Sequence, residues 1–149
     1  KDFIFLLSLI IIDDSDNADY FLYKFNISKK DQKRIKNIDH FYKDKINTKT
    51  FTKNNMNKIF YFNGKEATVD IIDFQLIKSK KADSSLKELS EYFKNKNIPI
   101  MPINADFLMK KYKILEGKQL GKKLKMIEKE WVENNFQISD QQIDNIFNN

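Results

Sequence analysis

Cysteine is absent from this chain of 149 residues, and histidine occurs once, at position 40. Without cysteine the chain has no disulfide framework, thiolate metal site or cysteine nucleophile, a composition that fits a reducing cytosol. One histidine is too few for the metal centre of an HD-type phosphohydrolase, which needs several, and zinc sites lack ligands for the same reason. We therefore expect His40 to be a surface or interface residue on a helix.

Glycine and proline are also scarce, with three and two residues, which leaves little material for hairpin turns. No run alternates apolar and polar residues for long enough to indicate a sheet. The sequence therefore predicts an all-α fold of about nine helices, near residues 2–12, 16–25, 29–44, 51–62, 66–79, 83–96, 105–112, 117–134 and 140–147. Oxygen-bearing side chains at the predicted starts indicate N-caps at Ser28, Thr48, Asp83, Asn104 and Ser139.

Single glycine and proline residues inside the chain predict one helix break and one extended joint. Gly64 follows an apolar run and can adopt a left-handed backbone at no steric cost, so one helix should end there and another begin. The Ile98-Pro99 and Met101-Pro102 pairs disfavour helix, which predicts an extended joint over residues 97–103. We therefore expect a helical body at residues 1–96 and a helical tail at residues 97–149.

The longest apolar run, Phe3 to Ile12, is too short to cross a bilayer and has aspartates at both ends. It lacks the basic start and cleavage site of a signal peptide, so we expect a buried helix and no membrane partner. Because the chain begins with Lys rather than Met, we expect it to be the downstream part of a longer product.

The charge balance favours an acidic partner. Lys and Arg number 27 against 21 Asp and Glu, a net charge of +6. Residues 29–58 alone hold ten basic and three acidic side chains, which makes them a second candidate for a phosphate-facing surface. The acidic stretch from Asp13 to Asp19 lacks the glycine and glutamate of a calcium loop, so we interpret it as helix punctuation rather than a metal site.

The predicted helix at 117–134 has two opposed faces. Leu120, Leu124, Ile127 and Trp131 recur at steps of four, three and four residues, which places them on one stripe. Four lysines follow the same steps two positions earlier, at 118, 122, 125 and 129, and therefore lie about 200° around the helix. This face suits a polyanion, with an ordinary solvated lysine face as the alternative.

The segment from Pro102 to Phe136 resembles a known family. Pro102-Ile103-Asn104-Ala105-Asp106-Phe107-Leu108-Met109, then Gly117-Lys118-Gln119-Leu120-Gly121 and then Trp131, is similar to the C-terminal part of CCA-adding tRNA nucleotidyltransferases and bacterial poly(A) polymerases. That family shows Pro-x-Gly-x-Asp-Leu, then Gly-x-x-(Leu/Ile)-Gly, then tryptophan. Asn104 stands where glycine is usual, and asparagine is the next-best residue for a left-handed backbone. Ala105 stands where a polar or basic residue is usual.

The resemblance implies a division of labour. In the family, a head with a Gly-Ser motif and paired aspartates binds Mg and CTP or ATP and transfers nucleotides, while the helical body and tail hold the acceptor and T arms of tRNA. This sequence has no Gly-Ser pair and cannot build a glycine-rich nucleotide loop from glycines at 64, 117 and 121. We therefore expect no catalytic residue, metal site or cofactor in this chain, which needs a separate or upstream head.

The sequence thus predicts a cytoplasmic, tRNA-binding C-terminal portion of a CCA-adding enzyme, which alone does not catalyse transfer. The candidate RNA-binding residues are Lys110, Lys111, Lys118, Lys122, Lys123 and Lys125. Two alternatives stay open, the body of a bacterial poly(A) polymerase and a helical protein-interaction scaffold. Salt dependence of RNA binding separates the scaffold from the other two.

Overall fold

The computed structural model describes residues 2–44, 51–79 and 83–148, which contain eight helices and no strand. The all-α prediction is confirmed. The helices are α1 (Phe3–Ile11), α2 (Asn17–Lys24), α3 (Lys29–Lys43), α4 (Lys53–Lys78), α5 (Ser84–Asn95), α6 (Ala105–Tyr112), α7 (Lys118–Glu133) and α8 (Asp140–Asn148). None of these described helices combines the length and the apolar character needed to cross a membrane.

Helix α4 consists of two segments that meet at a kink. Gly64 has φ 89° and ψ 171°, a backbone conformation that is essentially restricted to glycine. The hydroxyl of Thr68 donates to the Gly64 carbonyl at 3.0 Å, in the first turn of the second segment. The predicted break is confirmed, and it explains why about nine helices were expected where eight are counted.

Side-chain caps fix most of the helix starts. The side-chain oxygens of Ser28, Asp83, Asn104 and Ser139 each accept from a backbone amide two or three residues downstream, as predicted. Thr52 does the same for α4. The predicted cap Thr48 lies outside the described residues.

Two compact units make up the fold, Lys1–Asn97 and Ile98–Asn149, which we call unit 1 and unit 2. In unit 1, helices α4 and α5 pack through buried rings, and the centroids of Phe60 and Phe93 lie 5.1 Å apart. Helices α1 and α3 add Phe5, Ile35 and Ile38 to the same core. His40 lies exposed on α3, as expected.

Helix α1 is only half buried, so the prediction of a buried helix is wrong for one of its faces. Phe5 and Ser8 are buried, whereas Phe3, Leu6 and Ile10 are 73%, 50% and 76% exposed. The exposed three recur at steps of three and four residues and so form one stripe. An apolar run predicts the helix but does not determine which of its faces is covered.

Unit 2 contains three helices, and the non-helical residues 96–104 precede the first of them, α6. Its core contains Leu108 of α6, Leu120 and Ile127 of α7, and Ile143 of α8. Trp131, the only tryptophan, is also buried, and its ring meets Phe136 edge-on at 5.0 Å. Helix α7 therefore supplies two of these four core residues and contacts both α6 and α8.

Candidate nucleic-acid interface

Helix α7 has an apolar face and an opposed basic face, as the spacing predicts. Leu120, Ile127 and Trp131 are buried, and Leu124 is half-buried against the same core. The opposed face is exposed and carries Lys118, Lys122, Lys125 and Lys129, which we call the lysine stripe. The apolar face therefore packs against the rest of unit 2, whereas the lysine stripe faces solvent.

The lysines of the stripe have no ion-pair partner in the part of the chain that the structure describes. Within the described ranges, none of its four ammonium groups forms an ion pair or a hydrogen bond. Neighbouring lysines on one helix face lie about 5–6 Å apart and repel each other by a few tenths of a kcal/mol per pair. Phosphate groups would remove that repulsion. Lys110, on the neighbouring helix α6, is exposed in the same way.

Lys111 forms ion pairs within unit 2. Its Nζ lies 3.1 Å from Asp140 Oδ1 and 3.1 Å from Asp144 Oδ1, so it ties α6 to α8. The Asp140 carboxylate, with Tyr112 and Asp144, raises the pKa of Lys111 well above its ordinary value. The structure thus gives this candidate residue carboxylate partners within its own unit.

Lys123 has a similar internal role at the other end of α8. Its Nζ donates to the Ile146 carbonyl at 2.5 Å and lies 5.8 Å from the centroid of the Phe147 ring. A cation at this position compensates the carbonyl groups that a helix leaves unpaired at its C-terminus. Of the six candidate lysines, the structure therefore leaves four, Lys110, Lys118, Lys122 and Lys125, facing solvent without such a partner among the described residues.

Charge changes sign along α7. The first half carries the basic residues, and the second half carries Glu128, Glu130 and Glu133 beside Lys129. The Glu130 carboxylate accepts from Asn134 Nδ2 at 2.9 Å and from Gln142 Nε2 at 3.2 Å. The basic end therefore coincides with the N-terminal end of the helix, where the backbone dipole also favours an anion.

The segment before α6 corrects one sequence interpretation. Asn104 has φ −119° and ψ 171°, so it is extended rather than left-handed. Its Oδ1 accepts from the Phe107 amide at 2.8 Å, the role of an N-cap. Asp106 lies in the first turn of α6, where the Phe107 amide donates to Asn104. Ala105 is half-buried against the core of unit 2.

The second basic surface, residues 29–58, is partly used within unit 1. Arg34 pairs with Asp70, and Lys43 pairs with Asp39 at 3.1 Å. Lys45 and Lys49 lie outside the described residues. The exposed lysines of α3 that form no ion pair with described residues are Lys29, Lys30, Lys33 and Lys36. They lie opposite the buried Ile35 and Ile38, but α3 differs from α7 in having its start capped by the Ser28 side chain.

The acidic stretch before α2 does not form a metal site in the described residues. Asp13 accepts from the hydroxyl of Ser15 at 2.5 Å and from Asn17 Nδ2 at 2.7 Å, which lowers its pKa. These bonds are local and connect the residues just before α2 with Asn17, its first residue. No group of three or more acidic or histidine side chains elsewhere in the described ranges is arranged to hold a metal ion.

Fold and site together define an all-helical protein whose unit 2 carries a cationic helix face over an apolar core. The family model described as tRNA nucleotidyltransferase domain 2 matches residues 2–146, so the chain belongs to that family. The match extends over both units and confirms the resemblance carried by Pro102 to Phe136. Neither the curated proteins nor the solved structures gave a match.

Proposed function

We propose that this chain is the tRNA-binding body and tail of a CCA-adding tRNA nucleotidyltransferase. The observation that carries the proposal is the lysine stripe of α7, whose ammonium groups lie exposed and without ion-pair partners among the described residues. Membership of the tRNA nucleotidyltransferase domain 2 family supports tRNA as the polyanion. A tRNA partner also favours a cytoplasmic location.

In this proposal the chain positions RNA and does not transform it. Lys118, Lys122 and Lys125 neutralise phosphates of the acceptor and T arms, with Lys110 at the neighbouring helix. Such contacts read backbone shape and charge rather than base sequence. Nucleotide transfer, with its Mg and CTP or ATP, belongs to a head supplied upstream or as a separate chain.

Salt dependence of tRNA binding tests the proposal. The chain is titrated into labelled tRNA at several salt concentrations, and the logarithm of the association constant is plotted against the logarithm of the salt concentration. Each lost phosphate contact should reduce the magnitude of the slope by about 0.7–0.9. No binding at low salt, or binding that is indifferent to salt, would show that the lysine stripe does not hold RNA.

A charge-matched pair of variants locates the contact. We expect Lys122→Ala combined with Lys125→Ala to weaken tRNA binding and to flatten the salt slope. The control combines Lys24→Ala with Lys87→Ala, which removes two exposed charges from unit 1. Equal losses in both double variants would mean that net charge, rather than the lysine stripe, governs binding.

A poly(A) polymerase body remains within the same family description, and its substrate would be other RNAs. Competition separates it from a CCA-adding enzyme, because an unstructured RNA of equal length should displace tRNA only poorly from a tRNA-shaped surface.

The exposed stripe of Phe3, Leu6 and Ile10 favours a different candidate, a helical protein-interaction scaffold. Scaffold binding would be apolar and would change little between low and moderate salt.

A further inference from the structure

Gly121 is the one glycine of the chain whose backbone conformation does not require glycine. Gly64 and Gly117 have φ values of 89° and 155°, which side-chain-bearing residues rarely adopt. Gly121 lies inside α7 with ordinary helical geometry, and its N–H donates to the Gly117 carbonyl at 3.1 Å. A Cβ built on Gly121 would meet no atom within 4 Å among the described residues. Packing within the described chain therefore does not require glycine here.

Glycine at this position weakens the helix. It loses more backbone freedom on folding than alanine does, and it adds no side-chain contact in return. A residue that breaks a local rule without an evident structural gain points to a function. The function open to a bare helical position is the close approach of another backbone, which a Cβ would keep away.

The surroundings of Gly121 indicate what approaches. By helical geometry it lies about 40° around the axis from Lys125 and about 60° from Lys118. Gly117, four residues earlier, begins the helix without a side-chain cap, so the same flank of the first turn is bare at both positions. A bare strip beside uncompensated ammonium groups suits a chain of phosphates.

We propose that the sugar-phosphate backbone of RNA lies directly against Gly121, on the flank of α7 marked by Gly117 and Gly121. The inference rests on the proposed function and adds which side of the lysine stripe the RNA covers. A side chain at position 121 would hold the phosphates away from Lys118 and Lys125. Gly121 is then a positioning residue for RNA, kept bare at the expense of helix stability.

Substitution by alanine and by valine tests this. We expect Gly121→Ala to raise the Tm of the full chain by a few degrees while weakening tRNA binding. Valine is larger, and we expect Gly121→Val to weaken binding about tenfold, a change of about 1.4 kcal/mol. The control is Gln119→Val, because Gln119 is exposed about 160° around the helix from Gly121. Its tRNA affinity should stay within about twofold of the wild type.

The outcomes separate the two proposals. If the wild-type chain binds tRNA and both Gly121 variants bind equally well, the contact at Gly121 is wrong and the proposed function stands. If the wild-type chain does not bind tRNA, both are wrong. Equal losses in Gly121→Val and Gln119→Val would also overturn the inference, since they would indicate a general disturbance of α7.

Discussion

Arg34 and Asp70 form a two-point ion pair inside unit 1, with Nε 2.5 Å from Oδ2 and Nη2 3.1 Å from Oδ1. Asp70 is buried, and the Arg34 side chain is 12% exposed. Arg34 Nη1 also donates to Asp2 at 2.8 Å, so the only arginine of the chain connects α3 and α4 with the start of α1. Asp70 and then Asp2 raise the pKa of Arg34 above its usual range.

Removing Arg34 should destabilise unit 1 severely. Arg34→Met removes both hydrogen bonds of the pair from the buried Asp70 carboxylate, and breaking such a pair costs about 3–5 kcal/mol. Combining it with Asp70→Leu should recover most of the loss, because a buried pair can be replaced by apolar side chains at little cost. Urea unfolding followed by circular dichroism measures both. An Arg34→Met chain as stable as the wild type would contradict a structural role.

Acid should loosen α8. The pKa of Asp144 is lowered, first because the Tyr112 hydroxyl donates to its carboxylate and then because Lys111 does. A lowered folded pKa gives stability that is present above the unfolded value, near pH 4, and is lost as the pH falls through the folded value. Asp144→Asn should remove this part of the acid sensitivity.

Trp131 provides the measurement, because it is the only tryptophan and lies buried in unit 2. Thermal melts followed by its fluorescence, between about pH 2 and pH 7, should show a Tm that falls more steeply in the wild type than in Asp144→Asn. Parallel curves would mean that this carboxylate does not link folding to pH.

Two lysines of unit 2 should respond in opposite ways to the same substitution. Lys122→Ala removes an exposed charge with no ion pair among described residues, so we expect weaker tRNA binding and a stability change within about 0.5 kcal/mol. Lys111→Ala breaks the contacts with Asp140 and Asp144, so the Tm of unit 2 should fall. Loss of binding in Lys111→Ala without loss of stability would instead place Lys111 against RNA.

The kink in α4 should be sensitive to a single methyl group. The Cβ that Gly64→Ala adds would lie more than 4 Å from any other atom of the described residues, so the effect of the substitution is backbone strain alone. Holding alanine at φ 89° costs on the order of 1–3 kcal/mol, and the midpoint of chemical unfolding should fall accordingly. The matched comparison is Gly121→Ala, for which we expect the opposite sign. Destabilisation by both would contradict the distinction between the two glycines.

The cap at Asn104 can be examined by two substitutions. Asn104→Ala removes the acceptor for the Phe107 amide and should cost about 1 kcal/mol, whereas glycine at an N-cap typically loses only a few tenths. If the position required a left-handed backbone, Asn104→Gly would be more stable than the wild type. Thermal melts of the two variants therefore test the extended backbone directly.

Local chemistry made the helices of this chain predictable. Scarce glycine and proline removed the alternatives to helix, and Ser28, Asp83, Asn104 and Ser139 marked helix starts through bonds that span only two or three residues. The opposed faces of α7 followed from periodicity alone. Each of these features depends on residues that are close in sequence.

Features that depend on distant residues could not be predicted. Nothing in the sequence shows that Lys111 pairs with Asp140, 29 residues away, or that Lys123 bonds to the Ile146 carbonyl. The lysines of α6 and α7 therefore appear equivalent in the sequence, and only packing separates the exposed ones from those that hold α8. The exposed face of α1 could not be predicted for the same reason, because an apolar run does not show which of its faces packs against another helix.

The change of sign along α7 makes this helix a permanent electric dipole in addition to the dipole of its backbone. The lysines at 118, 122, 123 and 125 lie toward the N-terminus of the helix, and the glutamates at 128, 130 and 133 lie toward its C-terminus. The dipole of these side-chain charges therefore has the same direction as the dipole of the peptide groups, with its positive end at the N-terminus. In the field of a polyanion such a helix experiences a torque before any contact is made. Encounters would therefore begin with the glycine-bearing end of α7 facing the phosphates.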